Sequence, residues 1–333
     1  MEKIQSKGEF KDILSSYDII LFDIYGVAWN GIKCFDGTKE TLQFLKEQNK
    51  IVYFVSNSPE ILMHTTIERF KKAGIKEGED YNEIISSGMV LNSMVEQDGS
   101  LDFDGKKLNK CFTFGKVKHP ERHIKFNQVN DVKNADFVFA SYPVFTQEEY
   151  DNFSDNEKQY LIKSFTVHDC YESLIPDLYL PKLKEIVKYN LPMISNCSDM
   201  VAQAPTDNGD IAFVIRQGTI LSLYKNLGGV VFDVSKPSSA IYRYVFDVIK
   251  AKYGFAEEQL KNKKIAMIGD TIHTDILGAT NATNELNINV DGILTLCGVS
   301  ALDFKNNEQA IEQYCKDNNL KLNYTIDSLG VIL

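Results

Sequence analysis

Asp23 follows directly on the apolar run Ile19-Ile20-Leu21-Phe22, and Asp270 follows Ile265-Ala266-Met267-Ile268 with only Gly269 between. A carboxylate at the end of a buried strand needs a partner for its charge. Asp is common in loops as a turn or helix cap, and for Asp23 taken alone that reading is the stronger one. Asp275, at the end of Gly269-Asp270-Thr271-Ile272-His273-Thr274-Asp275, shifts the balance. Two or three carboxylates converging on one place repel each other unless a divalent cation sits among them, and an all-oxygen ligand set suits magnesium. Metal binding is the reading these residues favour. Soft-metal chemistry is not expected: the cysteines at 34, 111, 170, 197, 297 and 315 form no C-x-x-C pair. His168 near Cys170 is a pairing more often incidental than a ligand set, and reduced, mostly buried thiols are expected.

The elements that must position those carboxylates are buried parallel strands, each followed by a turn and a helix. Ile19 to Phe22, Ile51 to Val55 and Ile265 to Ile268 have that character. The second leads into Ser56-Asn57, so polar groups collect where strands give way to loops, the edge at which such sheets bind ligands. Val230-Val231-Phe232, Gly292 to Leu296 and a short strand around Tyr324-Thr325-Ile326 are read as further strands of the same sheet. Between Ser86 and about Thr219 the chain changes character. Short strands at Phe137 to Ala140 and Met193 to Ser195 alternate there with helix-prone segments, Gln147 to Phe165 and Pro181 to Tyr189. The expected fold is α/β: a Rossmann-like, doubly wound parallel-sheet core of residues 1–86 and 219–333, with an inserted α/β domain of 87–218. Lys305 to Asn319, acidic and amide-rich, reads as a solvated helix.

Composition bounds the partners. The 333 residues exceed what one core usually serves, and 44% apolar content is enough for two. With 46 acidic against 36 basic side chains, the net charge of -10 disfavours nucleic acid and anionic membrane surfaces as partners. A small anion can still be held by local backbone N–H groups and one lysine. The first residues, Met1-Glu2-Lys3-Ile4-Gln5, lack the order of a signal peptide, and no run has the length to cross a bilayer. A soluble, cytoplasmic protein is expected. An apolar cap surface would pair two copies into a homodimer, although nothing in the linear order displays one.

With these residues in view, the chain resembles the haloacid dehalogenase superfamily, in particular its class IIA, the NagD-like group. The first motif of that family, D-x-D-G-V/T, is met by Asp23-Ile24-Tyr25-Gly26-Val27 except at its second carboxylate. The second, a Ser or Thr after a strand, is met at Ser56. The third, a lysine leading a helix, falls at Lys236 in Ser235-Lys236-Pro237-Ser238, and the fourth, G-D-x-x-x-x-D, is met in full by Gly269 to Asp275. Gly37-Thr38-Lys39-Glu40 also looks like the class IIA flap leading into its first helix. The order of four motifs is specific where any one of them is weak.

The resemblance implies a magnesium-dependent phosphohydrolase, with a C2-type cap closing over a small phosphorylated metabolite of the sugar or nucleotide phosphate class. Asp23 would be the nucleophile and carry an aspartyl-phosphate. The metal would be held by Asp23, Asp270 and the backbone carbonyl of Tyr25. Ser56 and the N–H of Asn57, just before a helix expected after Pro59, would bind phosphate oxygens, although Ser56 reads almost as well as a plain helix cap. Lys236 would neutralise the transferring group, and Asp275 would orient a metal-bound water or Lys236 without touching the ion. In the insertion, Asn196 or Asp199 would contact substrate or hinge, with an ordinary turn equally open. His168, Asp169 and Tyr171 as a cap pocket, and Trp29 as a pocket wall, rest on less; a lone tryptophan is more often simply packed.

Tyr25 is the departure. Most phosphatases of the superfamily carry at that position the Asp that protonates the leaving group, and loss of such a group forfeits roughly 10²- to 10⁴-fold in rate. A subgroup of class IIA carries an aromatic residue there. Two outcomes stay open: a phosphohydrolase of narrow or slow activity, and a binding or regulatory protein that keeps the cradle with weakened turnover. Cleavage of a bond other than a phosphate ester fits Ser56, Lys236 and the fourth motif less well.

Overall fold

The computed structural model describes residues 1–332 apart from 104, 119, 207, 209 and 306. The chain divides into two compact units. The first comprises Met1–Ser56, Met63–Ser86 and Lys236–Leu333, and the second Asn57–Leu62 and Ser87–Ser235.

The first unit is built on a seven-stranded, wholly parallel sheet. Its strands are β1 (Glu2–Lys3), β2 (Ile19–Phe22), β3 (Ile51–Ser56), β4 (Glu83–Ser86), β5 (Ile265–Gly269), β6 (Val290–Thr295) and β7 (Leu322–Ile326), in the spatial order β1-β7-β6-β5-β2-β3-β4. Strands buried on both faces read as unbroken apolar runs, which is why β2 and β5 show no alternation in sequence. Burial still alternates by face. Ile20, Phe22, Val52, Phe54, Ile84, Ala266 and Ile268 join one cluster with Phe10, Leu14, Leu42, Leu45 and Phe70 from the helices Lys7–Ser15, Thr38–Glu47 and His64–Lys72. A second cluster unites Leu294 and Leu322 with Ile272, Ile276, Ile311 and Cys315. Helices therefore cover the sheet from both sides, the doubly wound arrangement expected. The acidic segment near the C-terminus contributes the helix Glu308–Asp317, which is solvated on one face and buries Ile311 and Cys315 on the other.

The second unit has its own sheet of five parallel strands, in the order Val231–Asp233, Met193–Ser195, Phe137–Ala140, Lys110–Phe114 and Asn127–Gln128. A three-stranded antiparallel sheet and two hairpins complete its strands. Three expectations are corrected here. Val231–Asp233 pairs with Met193–Ser195 instead of joining the first sheet, and the helix Gln217–Asn226 packs Ile220, Leu221 and Tyr224 into the second unit's core, so this unit runs to Ser235 and not to 218. The single helix expected from Gln147 to Phe165 is two short ones, Gln147–Asp151 and Asp155–Lys158, followed by the strand Leu161–Lys163. Each short helix opens on its own capping box, at Thr146 and Ser154, and a second N-terminus cannot sit inside a continuous helix.

Candidate active site

β2 and β5 are neighbours in register, with Phe22 opposite Ile268, so the residues that follow them leave the sheet side by side. The Asp23 N–H still donates to the Ile268 carbonyl at 2.8 Å. Asp23, Asp270 and Asp275 each offer a carboxylate oxygen, and these atoms lie within 4.8 Å of one another. Among them sits one cation. The Lys236 ammonium donates to Asp23 Oδ1 at 2.7 Å and to Asp275 Oδ1 at 2.7 Å, with the lysine side chain only 2% exposed.

Backbone geometry holds each carboxylate in place. After Thr271 the chain makes one wide π-helical turn, Ile272–Ile276, before the α-helix Leu277–Leu286. That turn brings Asp275 back over the loop, where its Oδ2 accepts from the Asp270 and Thr271 N–H groups at 3.1 Å each. The approach is so close that a Cβ on Gly269 would lie 2.1 Å from the Asp275 carboxyl carbon. Asp270 is fixed from the other side. The Val299 N–H donates to its Oδ2 at 2.7 Å and the Thr271 hydroxyl to its Oδ1 at 3.0 Å, while a Cβ on Gly298 would fall 1.9 Å from Oδ2. Ser300 locks the same loop, its N–H on the Asp270 carbonyl and its hydroxyl accepting from Ile272.

Three carboxylates face one ammonium, and the titration of the cluster reflects that imbalance. Burial holds the Asp23 carboxyl well above the usual carboxylate range; Lys236 pulls it down, and the charges of Asp275 and Asp270 push it up again. Burial and then the Asp275 charge push Asp270 up to about 6, against the Val299 and Thr271 hydrogen bonds. For Lys236, burial alone would lower the pKa, but the Asp23 and Asp275 carboxylates outweigh it and the ammonium stands above the ordinary lysine value. The donor chemistry fits a hard divalent cation: an all-oxygen set with more negative charge than the one lysine balances. Asp275 gives one oxygen to the Lys236 ammonium and the other to two backbone amides, whereas the hydrogen bonds to Asp270 come from neutral donors, Val299 and Thr271, so the Asp270 charge is the less balanced of the two.

Ser56 ends β3 and is buried opposite Ser86 of β4. The helix expected soon after Pro59 begins instead at His64 with Met63 as its cap, because residues 57–62 cross into the second unit; Ser56 is therefore not the cap of that helix. Lys236 likewise stands three residues before its helix, Ser239–Tyr253, whose cap is Ser238. Asn57, Asn196 and Asp199 belong to the second unit. There the Asn57 side-chain amide donates to Ser198 Oγ at 3.0 Å and Asp199 Oδ1 at 3.2 Å, and that of Asn196 to the Pro59 carbonyl at 3.3 Å. The turn at 196–199 thus grips the first crossing segment. Sequence reading missed Thr271 and the Gly298-Val299-Ser300 loop. Their signal was small and hydroxyl residues soon after β5 and β6, the same strand-then-loop pattern that marked the other motifs.

A parallel doubly wound sheet with aspartates clustered at adjacent strand ends, and an α/β insertion after β4, defines the class of the protein. Family models described as haloacid dehalogenase-like hydrolase and HAD-hydrolase-like match residues 20–119 and 234–317, and the chain belongs to this family, with the class IIA arrangement. It is 30% identical over 97 residues to a 4-nitrophenylphosphatase of Schizosaccharomyces pombe, a stretch covering 28% of this chain and 33% of that protein. With glycerol-3-phosphate phosphatase of Rattus norvegicus it shares 23% identity across 97% of this chain and 92% of the relative. A structure described as a possible sugar phosphatase of the HAD superfamily from Cytophaga hutchinsonii superposes over 100% of both chains with a TM-score of 0.63 at 21% identity. Among the described residues no helix is long and apolar enough to cross a membrane.

Proposed function

We propose that this chain is a magnesium-dependent phosphohydrolase of small phosphorylated metabolites that works through an aspartyl-phosphate on Asp23. The observation that carries this reading is the Lys236 ammonium at 2.7 Å from both Asp23 and Asp275, beside the carboxylate of Asp270. Lys236 donates to Oδ1 of Asp23 and fixes the orientation of that carboxylate. Oδ2 then forms the bond to phosphorus as the ester P–O bond breaks. The electron pair leaves on the ester oxygen, which takes a proton from water. A second water attacks the acyl phosphate, releases inorganic phosphate and restores Asp23. Magnesium, held by Asp23, Asp270 and the Tyr25 carbonyl, would offset the repulsion between the anionic phosphoryl group and the anionic nucleophile. Ser56 and the Asn57 N–H are assigned to the phosphate oxygens, Asp275 to holding Lys236, and Asn196 and Asp199 to fixing the crossing segment that carries Asn57.

Names of the relatives support phosphate monoesters as the substrate class, from aryl phosphates to glycerol 3-phosphate. Tyr25, exposed where the superfamily's acid usually stands, favours a second reading in which phosphate is bound and turnover is weak. Assay of the purified protein with magnesium on 4-nitrophenyl phosphate, acetyl phosphate and a set of sugar phosphates decides between them. Cleavage of the aryl or acyl phosphate that Asp23→Asn abolishes is the expected result; tight binding of a phosphorylated compound with no turnover of any would establish the second reading instead.

A further inference from the structure

The chain leaves β2 at Phe22 and enters a tight turn. Ile24 is fully buried in the core cluster, while Asp23 is partly exposed and Tyr25, two residues past Asp23, is 46% exposed. The turn beyond them is closed by backbone bonds, Trp29 N–H to the Ile24 carbonyl at 2.8 Å and Gly26 N–H to the Trp29 carbonyl at 3.0 Å. Arg69, on the helix His64–Lys72, meets this turn at two points. Its Nη1 donates to the Tyr25 hydroxyl at 3.4 Å, and its guanidinium carbon lies 5.6 Å from the centre of the Trp29 ring. Among the described residues no ion pair between Arg69 and a carboxylate is found, and the two contacts of its guanidinium are both with this turn.

A guanidinium has five donors and no acceptor, which fixes the sense of the contact. The phenol oxygen must accept from Arg69, and the phenol's own proton must then be donated elsewhere. We propose that Arg69 is the positioning residue of the site, holding Tyr25 so that its O–H is offered to the oxygen that leaves phosphorus. This rests on the phosphohydrolase reading above. As Asp23 Oδ2 bonds to phosphorus and the ester P–O bond breaks, charge grows on the leaving oxygen. The Tyr25 O–H, polarised by the cation behind it, stabilises that charge as a hydrogen-bond donor without giving up its proton, and water supplies the proton after departure. Tyr25 thereby performs part of what a carboxylic acid would do at this position, and it does so only while Arg69 holds it.

The test is a series of aryl phosphates whose phenols range from good to poor leaving groups, cleaved with magnesium by the wild type, Tyr25→Phe, Arg69→Ala, Arg69→Lys and the Tyr25→Phe/Arg69→Ala double variant. Tyr25→Phe is expected to lose roughly 10- to 100-fold in kcat on phenyl phosphate and little on 4-nitrophenyl phosphate, since a donor matters in proportion to the charge it meets. Arg69→Ala should show the same dependence on leaving group and add nothing further in the Tyr25→Phe background. Arg69→Lys keeps the cation without the planar fork, guards against misfolding of the alanine variant, and should lose less on the same esters. Emission of Trp29, the one tryptophan of the chain, should shift in Arg69→Ala and stay near wild type in Arg69→Lys. A loss of equal size on every ester, or an Arg69→Ala loss that persists in full when Tyr25 is already Phe, overturns the assignment while leaving the phosphohydrolase intact. A wild type inactive on the whole series overturns both.

Discussion

Each unit buries a cluster of charge, and the two differ in balance. In the second unit Arg216 faces Glu172 at 3.4 Å, with side chains 5% and 0% exposed; Ser164 donates to Glu172 at 2.7 Å, and the guanidinium lies over the rings of Tyr142 and Phe165. One negative group meets one positive group, and the guanidinium also donates to the Ile215 carbonyl and the Thr166 hydroxyl. In the first unit Lys236 faces Asp23 and Asp275 with Asp270 beside them, three carboxylates to one cation. The pair in the second unit is balanced in charge. The cluster in the first unit is bonded through backbone amides and hydroxyls yet remains short of positive charge, which is the condition under which a divalent ion and an anionic substrate are bound together. Charge balance, more than burial, separates the structural pair from the reactive site.

The comparison can be broken from its strongest side. Asp23→Asn keeps the shape of the cluster and removes the proposed nucleophile, so turnover of 4-nitrophenyl phosphate should fall by at least about 10⁴-fold. In the second unit Arg216→Met strands the Glu172 carboxylate and should cost about 3 to 5 kcal/mol in urea unfolding, whereas Arg216→Met with Glu172→Leu should recover most of it, because a balanced pair can be replaced by apolar groups. No neutral replacement of Asp23 and Lys236 together should recover turnover. If the Arg216→Met/Glu172→Leu double variant stays as unstable as Arg216→Met alone, that pair does more than balance charge.

Smaller effects sharpen the same contrast. Tyr25→Asp restores the usual acid and should speed cleavage of an alkyl phosphate by up to about 10²-fold relative to wild type, measured as phosphate release. Gly298→Ala places a methyl group against Asp270 and should weaken magnesium binding by about tenfold in calorimetry, with the fold retained by circular dichroism. The pH dependence follows from the raised pKa of Asp270. Its folded form holds a proton up to about 6 that the unfolded chain releases near 4, so metal-free protein should lose stability as pH rises through that interval. Magnesium competes with that proton, so its affinity should climb over the same interval and level off above about 6. A magnesium affinity that is flat from pH 5 to 7 would remove Asp270 from the ligand set.

Much of this was legible in the chain. Residue order alone placed Asp23, Ser56 and Asp270 at strand ends, because strands buried on both faces are continuous apolar runs and the polar residue after each is conspicuous. The doubly wound core and the insertion after β4 followed from the same runs. Tertiary structure decided what has no local signature. The run Val230-Val231-Phe232 is as apolar as a core strand, and only the pairing of Val231–Asp233 with Met193–Ser195 assigns it to the second unit, since strand pairing is a choice among distant partners of equal propensity. The helices beyond Ser56 and Lys236 start later than their sequences suggest, because both segments lie where the chain crosses between units. Arg69 reads as one more charge on an amphipathic helix, and its contact with Tyr25 exists only because β2 and β3 are adjacent in the sheet and the elements that follow them meet. Periodicity along a chain records which side of an element is buried; which distant charges then face one another is set by packing, and here that packing makes the site.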